Sequence, residues 1–313
     1  MESTRTPEIL RRITKYCIYL AAFAAPLFYL PITADALFAK QSLITILVAV
    51  ALLAWLIRVL AQKEVRYSIN LLNISYAFLL VILFLASIFS VSRGQSFFVP
   101  DFTGERFFSF AAFLILAFLV ANNFSRDEVE RMVIALFASA IIFSVLIFLQ
   151  ITPWLPLPDQ LRINPAGTLN GAALILGGFL LMALSFFVFR PPEIKYSRFF
   201  LMLVRALLVL AAINLLLINF KIGWVGLGAT AALLVAFTLS RFSMRAASSI
   251  ALFTILAASV LLTILPLNPE QFIPGLRNEL EVAPSFISTL AIDFQVLKTL
   301  PVFGSGPGTF VYD

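Results

Sequence analysis

Histidine is absent from all 313 residues, and cysteine occurs once, at Cys17. The first absence removes the commonest general base and the commonest metal ligand. The second excludes an internal disulfide and any cysteine-rich metal site. Cys17 falls in an apolar stretch, where a buried, inert thiol is the expected reading. Charge is scarce too, at 12% of residues, whereas a soluble domain carries about a quarter. Neither a metal nor a cofactor is expected. Any catalysis must draw on carboxylates, Lys, Arg, backbone groups, or something beyond Asp313.

What is abundant is apolar surface: 61% of the chain, with 33 Phe. A membrane helix needs roughly 20 such residues. Nine stretches qualify or nearly so: Tyr16–Thr33, Gln41–Leu60, Leu71–Ser90, Phe107–Ala121, Val129–Gln150, Asn170–Phe189, Phe199–Phe220, Gly223–Leu239 and Ala247–Leu265. The expected fold is therefore an all-α polytopic bundle of about nine spans. It divides into a transmembrane domain over 1–265 and, over 266–313, the start of an extracytoplasmic loop region. Lys221 and Ile222 alone separate the seventh and eighth stretches, which predicts a tight helical hairpin. Cleavage after the Ala-rich part of the first stretch, as in a signal peptide, would leave the charge pattern no better explained, so the span is read as retained.

Basic residues sort unevenly between the two sides that these spans define. Fourteen fall with the N-terminal tail, and seven (Lys40, Arg93, Arg106, Arg162, Lys221, Arg277 and Lys298) fall opposite. That bias places the N-terminus in the cytoplasm and the residues after Leu265 outside. The net charge of +6 is spread through short connections, so it does not point to nucleic acid. None of the sixteen acids lies in the middle of a predicted span. Ion-coupled carriers usually hold their ion on such a group, so a secondary transporter is disfavoured. A passive pore or lipid scramblase stays open, and the alternatives to an enzyme are a membrane transporter or lipid-carrier flippase and a non-catalytic scaffold.

The outer side carries the features that point to chemistry. Arg93, Arg106, Arg162, Lys221 and Arg277 come from separate connections, yet all are expected at one membrane surface. Guanidinium groups suit phosphate oxygens, and a cluster of cations stabilises charge developing on a departing diphosphate. Alternatively, the arginines pair with Asp101, Glu105, Asp159, Glu279 and Glu281. The Lys221 turn has no acid to offer. Asn164 to Gly171 is a turn-rich entry to the sixth span in which an Asn, Asn170 among them, is a candidate helix cap. Near the chain end, Gly304, Gly306 and Gly308 either wrap an anion with backbone N–H groups or form a tight bend. No Gly-Lys-Ser/Thr follows, so this is not a P-loop. Between Ser285 and Leu300 the apolar spacing fits a short amphipathic helix on the membrane surface.

Three elements then occur in a familiar order. They are Gly167-Thr168-Leu169-Asn170 at a span entry, Lys221-Ile222-Gly223-Trp224 at a tight hairpin, and the segment Leu300-Pro301-Val302-Phe303-Gly304-Ser305-Gly306-Pro307-Gly308-Thr309-Phe310. In this the chain resembles the O-antigen ligase and O-antigen polymerase family of bacterial envelope enzymes. The resemblance implies a multi-pass protein of the bacterial inner membrane. Such an enzyme takes a glycan from a polyprenyl-diphosphate carrier at the outer face, without a nucleotide. The acceptor would be a hydroxyl of lipid A core, another glycan or a protein. Lys221 stands where the family commonly has an Arg that grips the diphosphate, and Arg106 is a second clamp. The family's usual base is a His after the glycine motif, which this chain does not reach. A C-terminally truncated, inactive piece is the expectation.

Overall fold

The structure, a computed structural model, describes residues 5–29, 36–62, 71–97, 106–153, 164–188, 197–239, 246–264, 269–276, 291, 294–296, 298–299 and 305. Among them the regular structure is helical: α1 (Arg5–Leu27), α2 (Ala36–Gln62), α3 (Leu71–Ile88), α4 (Arg93–Phe97), α5 (Phe107–Asn123), α6 (Arg126–Ile151), α7 (Leu169–Val188), α8 (Arg198–Ile218), α9 (Lys221–Leu239) and α10 (Ala246–Ile264). A 3-10 turn follows at Pro269–Gln271. Among the described residues five helices are long and apolar enough to cross a bilayer: Phe38–Gln62 within α2, α3, α6, Leu169–Phe186 within α7, and α8. Phe107–Asn123, Lys221–Ala236 and Thr254–Ile264 are apolar but shorter. The protein is thus an all-α membrane protein. Its surface agrees with this. Leu71, Leu72, Ile74, Phe78 and Val81 of α3 are all exposed, an apolar face that only hydrocarbon would solvate well.

The chain forms two compact units, Met1–Val133 with Val282–Asp313, and Ile134–Glu281. In the first, α1 packs on α2, and α5 packs on both and on α3. The inward stripe of α1 repeats at helical spacing: Thr14, Ile18 and Ala21 are buried while Tyr16 and Leu20 are exposed. Ala51 and Trp55 of α2 meet Ile18 and Leu119. Thr14 Oγ1 donates to Leu10 O in its own helix at 3.0 Å and to Ala51 O across the contact at 3.3 Å. One end of α1 is tied by charge. Glu128 takes hydrogen bonds from Lys15 and from the Ser125 backbone N–H, and lies 3.8 Å from Arg11. At the other end the buried Lys40 ammonium donates to Pro26 O at 2.8 Å, one of the carbonyls that a helix C-terminus leaves without an intrahelical donor.

In the second unit α7 packs on α8 and α9, and α9 on α10. Its core is aromatic: Phe137 stacks on Phe200 at 5.9 Å, and Phe186 sits edge-on to both. Asn214, fully buried in α8, donates its amide to Ser144 O of α6 and to Leu210 O, each at 3.0 Å. An interhelical hydrogen bond of this kind is a common link between membrane helices. Gly228 lets α9 approach α10, since a Cβ there would stand 3.1 Å from the Ser259 Cβ.

Two sequence expectations shift in register. The α8–α9 corner is Asn219–Phe220, not Lys221–Ile222. Asn219 adopts the left-handed conformation (φ 50°, ψ 44°) and its N–H returns to Leu215 O, a conformation Asn tolerates better than most residues. Lys221 consequently opens α9. The cap of α7 is Thr168, not an Asn: its Oγ1 accepts from the Gly171 N–H at 2.9 Å. Gly171 permits that approach, because a Cβ would come within 2.9 Å of the same oxygen. Asn164 closes the preceding turn, its Oδ1 accepting from Ala166 N–H at 2.9 Å, and Asn170 lies within the first turn of the helix.

Candidate functional site

Arg106 is the sequence-predicted residue around which a site forms. It immediately precedes α5 in an extended conformation and makes no side-chain cap of its own helix. The first backbone bond of that end runs from Phe110 N–H to Arg106 O, so the preceding N–H groups add their positive dipole end to the guanidinium. The side chain turns beneath Phe38, with Cζ 5.0 Å from the ring centroid, within the range of a cation–π contact. Its Nε and Nη2 are both buried and have no hydrogen-bond partner. A buried charge without a partner is costly, and an arginine cannot escape the cost by losing its proton.

Beside Arg106 is a cavity of about 330 Å³. Its described lining has polar residues, Gln41, Ser42, Thr45, Ser109 and Arg106, and apolar ones, Phe38, Ile46, Phe97 and Phe108. Ser109 Oγ donates to Gln41 Oε1 at 3.0 Å, which leaves the Gln41 amide N–H₂ as a further donor. Among the described residues no carboxylate lines the space. The arrangement is a half-apolar pocket with donors and one fixed positive charge, suited to an amphiphilic anion.

Phe97, in the cavity wall, belongs to an aromatic cluster with Phe84, Phe107 and Phe108 at centroid separations of 5.4–6.1 Å. Ser96, next to it, donates to Ser90 Oγ at 2.7 Å. Ser90 in turn donates to Ser305 O at 2.9 Å, and Val91 N–H donates to the same carbonyl at 3.0 Å. Ser305 belongs to the glycine-rich motif, so one residue of that motif is fixed by buried bonds to the α3–α4 turn. Gln41, Ser90, Ser96 and Ser109 were not singled out by sequence reasoning. A closely spaced set of serines (Ser87, Ser90, Ser92, Ser96) in so apolar a chain is the signal that would have found part of this.

The other predicted residues are placed as follows. Arg93 begins α4 and is exposed; Lys221 begins α9 and is exposed. Arg106 and Arg93 belong to one compact unit and Lys221 to the other. Arg162, Arg277, Gly304, Gly306 and Gly308 lie outside the described residues, as does most of the expected amphipathic helix, of which 291, 294–296 and 298–299 are helical. Ion pairs among the described residues involve Arg11, Arg12 and Lys15 with Glu8 and Glu128. Arg93, Arg106 and Lys221 take part in none of these. Among the described residues no group of His, Cys, Asp or Glu is arranged to hold a metal.

No family model, no curated protein and no solved structure matches the chain.

Proposed function

We propose that this chain is the membrane-embedded part of a glycosyltransferase like the O-antigen ligases and polymerases. It would work in the bacterial inner membrane with about nine spans, N-terminus in the cytoplasm. Its donor is a glycan on a polyprenyl-diphosphate carrier, and its acceptor is a hydroxyl of lipid A core, glycan or protein. The observation that carries the reading is the state of the Arg106 guanidinium. Of the cations assigned to the cytoplasmic side, Arg11, Arg12 and Lys15 face acids, while Arg58 hydrogen-bonds Asn123 and leaves its buried Nε without a partner. Arg106, assigned to the outer side, has two buried nitrogens without a partner, and Lys221 stands at the positive end of α9 with no acid paired to it among the described residues. Positive charge at a helix N-terminus is unfavourable by itself and favours an anion nearby.

In this mechanism the acceptor hydroxyl attacks the sugar C1. The C1–O bond to the carrier breaks, the hydroxyl proton passes to water or to the leaving diphosphate, and the diphosphate departs with its charge stabilised by cations of the outer side. The protein's part is positioning and electrostatics. The test is polysaccharide attachment in cells that depend on this gene. Removing one charge-stabilising donor typically lowers turnover by about a hundredfold or more, so Lys221→Ala and Arg106→Ala are each expected to lose most product. Wild-type levels in both variants would remove the clamp and the reading with it.

A further inference from the structure

We propose that Ser305 is the catch of a lid. Its carbonyl, held by the α3–α4 turn, fixes α4 so that Phe97 covers the cavity lined by Phe38, Gln41 and Ser42, and its release lets Phe97 move away. The inference does not rest on glycosyl transfer, and its test uses none.

The catch is a closed set of hydrogen bonds. Ser90 Oγ donates to Ser305 O at 2.9 Å and accepts from Ser96 Oγ at 2.7 Å and from Ser92 N–H at 3.2 Å. That fills the one donor and two acceptor places of a hydroxyl. Val91 N–H gives the same carbonyl a second bond, at 3.0 Å. Ser90, Ser96 and Ser305 are all buried. Withdrawing the carbonyl takes the acceptor from the Ser90 hydroxyl and the Val91 N–H together, so the turn has to rearrange or admit water.

The lid is α4. It has five residues, well short of the roughly 12 that an isolated helix needs, so its position comes from what it touches. Ser96 ties it to Ser90. Phe97 packs edge-on against Phe84 of α3 at 6.1 Å and Phe107 of α5 at 5.4 Å, and it also lines the cavity. The bonded chain from Ser305 through Ser90 to Ser96 therefore ends one residue from the cavity wall. Each such bond is worth little net. Gly304 and Gly306 flank Ser305 in the sequence, and holding a glycine in one conformation costs more backbone entropy than holding any other residue. The engaged and released states thus lie close in free energy, as a switch requires.

The experiment follows thiol labelling by a charged methanethiosulfonate reagent in the purified full chain carrying Cys17→Ser. One reporter is Ser42→Cys, in the cavity; the other is Ser305→Cys, which keeps the carbonyl. Ser90→Ala is expected to raise the labelling rate at both by about tenfold, the scale of one or two lost hydrogen bonds. Ser90→Thr keeps the hydroxyl and is expected to leave both near the parent rate. Phe97→Ala is expected to raise the rate at Ser42→Cys alone. Adding Ser90→Ala to Phe97→Ala is expected to bring no further rise there, since both act through one ring. Ser96→Ala cuts the chain between catch and lid; it too is expected to raise the rate at Ser42→Cys alone, and it decides the matter should Ser90→Ala fail to fold. Faster labelling at Ser305→Cys with none at Ser42→Cys overturns the proposal. So do unchanged rates at Ser42→Cys in Ser96→Ala, and effects of Ser90→Ala and Phe97→Ala that add.

Discussion

The two compact units solve the problem of holding membrane helices together differently. Residues Met1–Val133 with Val282–Asp313 rely on polar ties. They include Lys15 and Arg11 around Glu128, Arg58 on Asn123 at 2.6 Å, Lys40 on the Pro26 carbonyl, and serines on the Ser305 carbonyl. Residues Ile134–Glu281 rely on packing, with the Phe137–Phe186–Phe200 cluster, the close Gly228–Ser259 approach and one buried amide, Asn214. In lipid, apolar burial between helices gains little over contact with the tails, so close packing and hydrogen bonds decide association. A unit dense in polar groups also has the means to bind an anion. The Arg106 cavity belongs to that unit.

The contrast can be broken at its strongest point in the second unit. Phe137 is completely buried, and Phe137→Ala is expected to cost about 4 kcal/mol, the range for a large aromatic removed from a packed core. Unfolding in mixed micelles measures it, and a loss under 1 kcal/mol would mean that the aromatic cluster does not organise that unit. In the first unit the corresponding change is Glu128→Ala, which strands the mostly buried Lys15 ammonium without its acid. About 3 kcal/mol is expected, measured in the same way. Glu128→Gln should recover only part of it, since the charge is still missing. If Phe137→Ala and Glu128→Ala both melt the chain in a single transition, the two units unfold together; two transitions would sharpen the distinction.

The smallest effect is at Asn214. Replacing it with Leu removes one interhelical hydrogen bond but keeps volume, so about 1 kcal/mol is expected, within the range of such bonds in membranes. A cost as large as that of Phe137→Ala would show that this amide, and not the aromatic packing, holds α6 to α8.

Much of the architecture was legible in the chain. Runs such as Leu71–Ser90 and Phe199–Phe220 correspond closely to α3 and α8, because sustained hydropathy without internal charge leaves a helix as the economical way to bury backbone groups in lipid. The corner at Asn219 was misplaced by two residues, since hydropathy does not register a left-handed Asn. The Thr168 cap was missed for a related reason: several polar residues in that turn have cap chemistry, and only local geometry chooses among them. Of the site, Arg106 was legible as an outer cation before a span. Gln41, Ser109 and Phe38 were not, because they lie 65 or more residues from it or, like Ser109, look like ordinary helix residues.

By itself, then, composition dictated an all-helical membrane protein without histidine chemistry, since transfer of apolar residues and backbone groups into lipid depends on residue type and spacing alone. Which cations are neutralised and which face an empty space depends on how helices distant in sequence meet. Lys15 finds Glu128 across more than a hundred residues, while Arg106 meets an aromatic ring and, among the described residues, no acid. That outcome is a property of packing, because electrostatic pairing falls off over a few ångströms and no sequence separation encodes those distances.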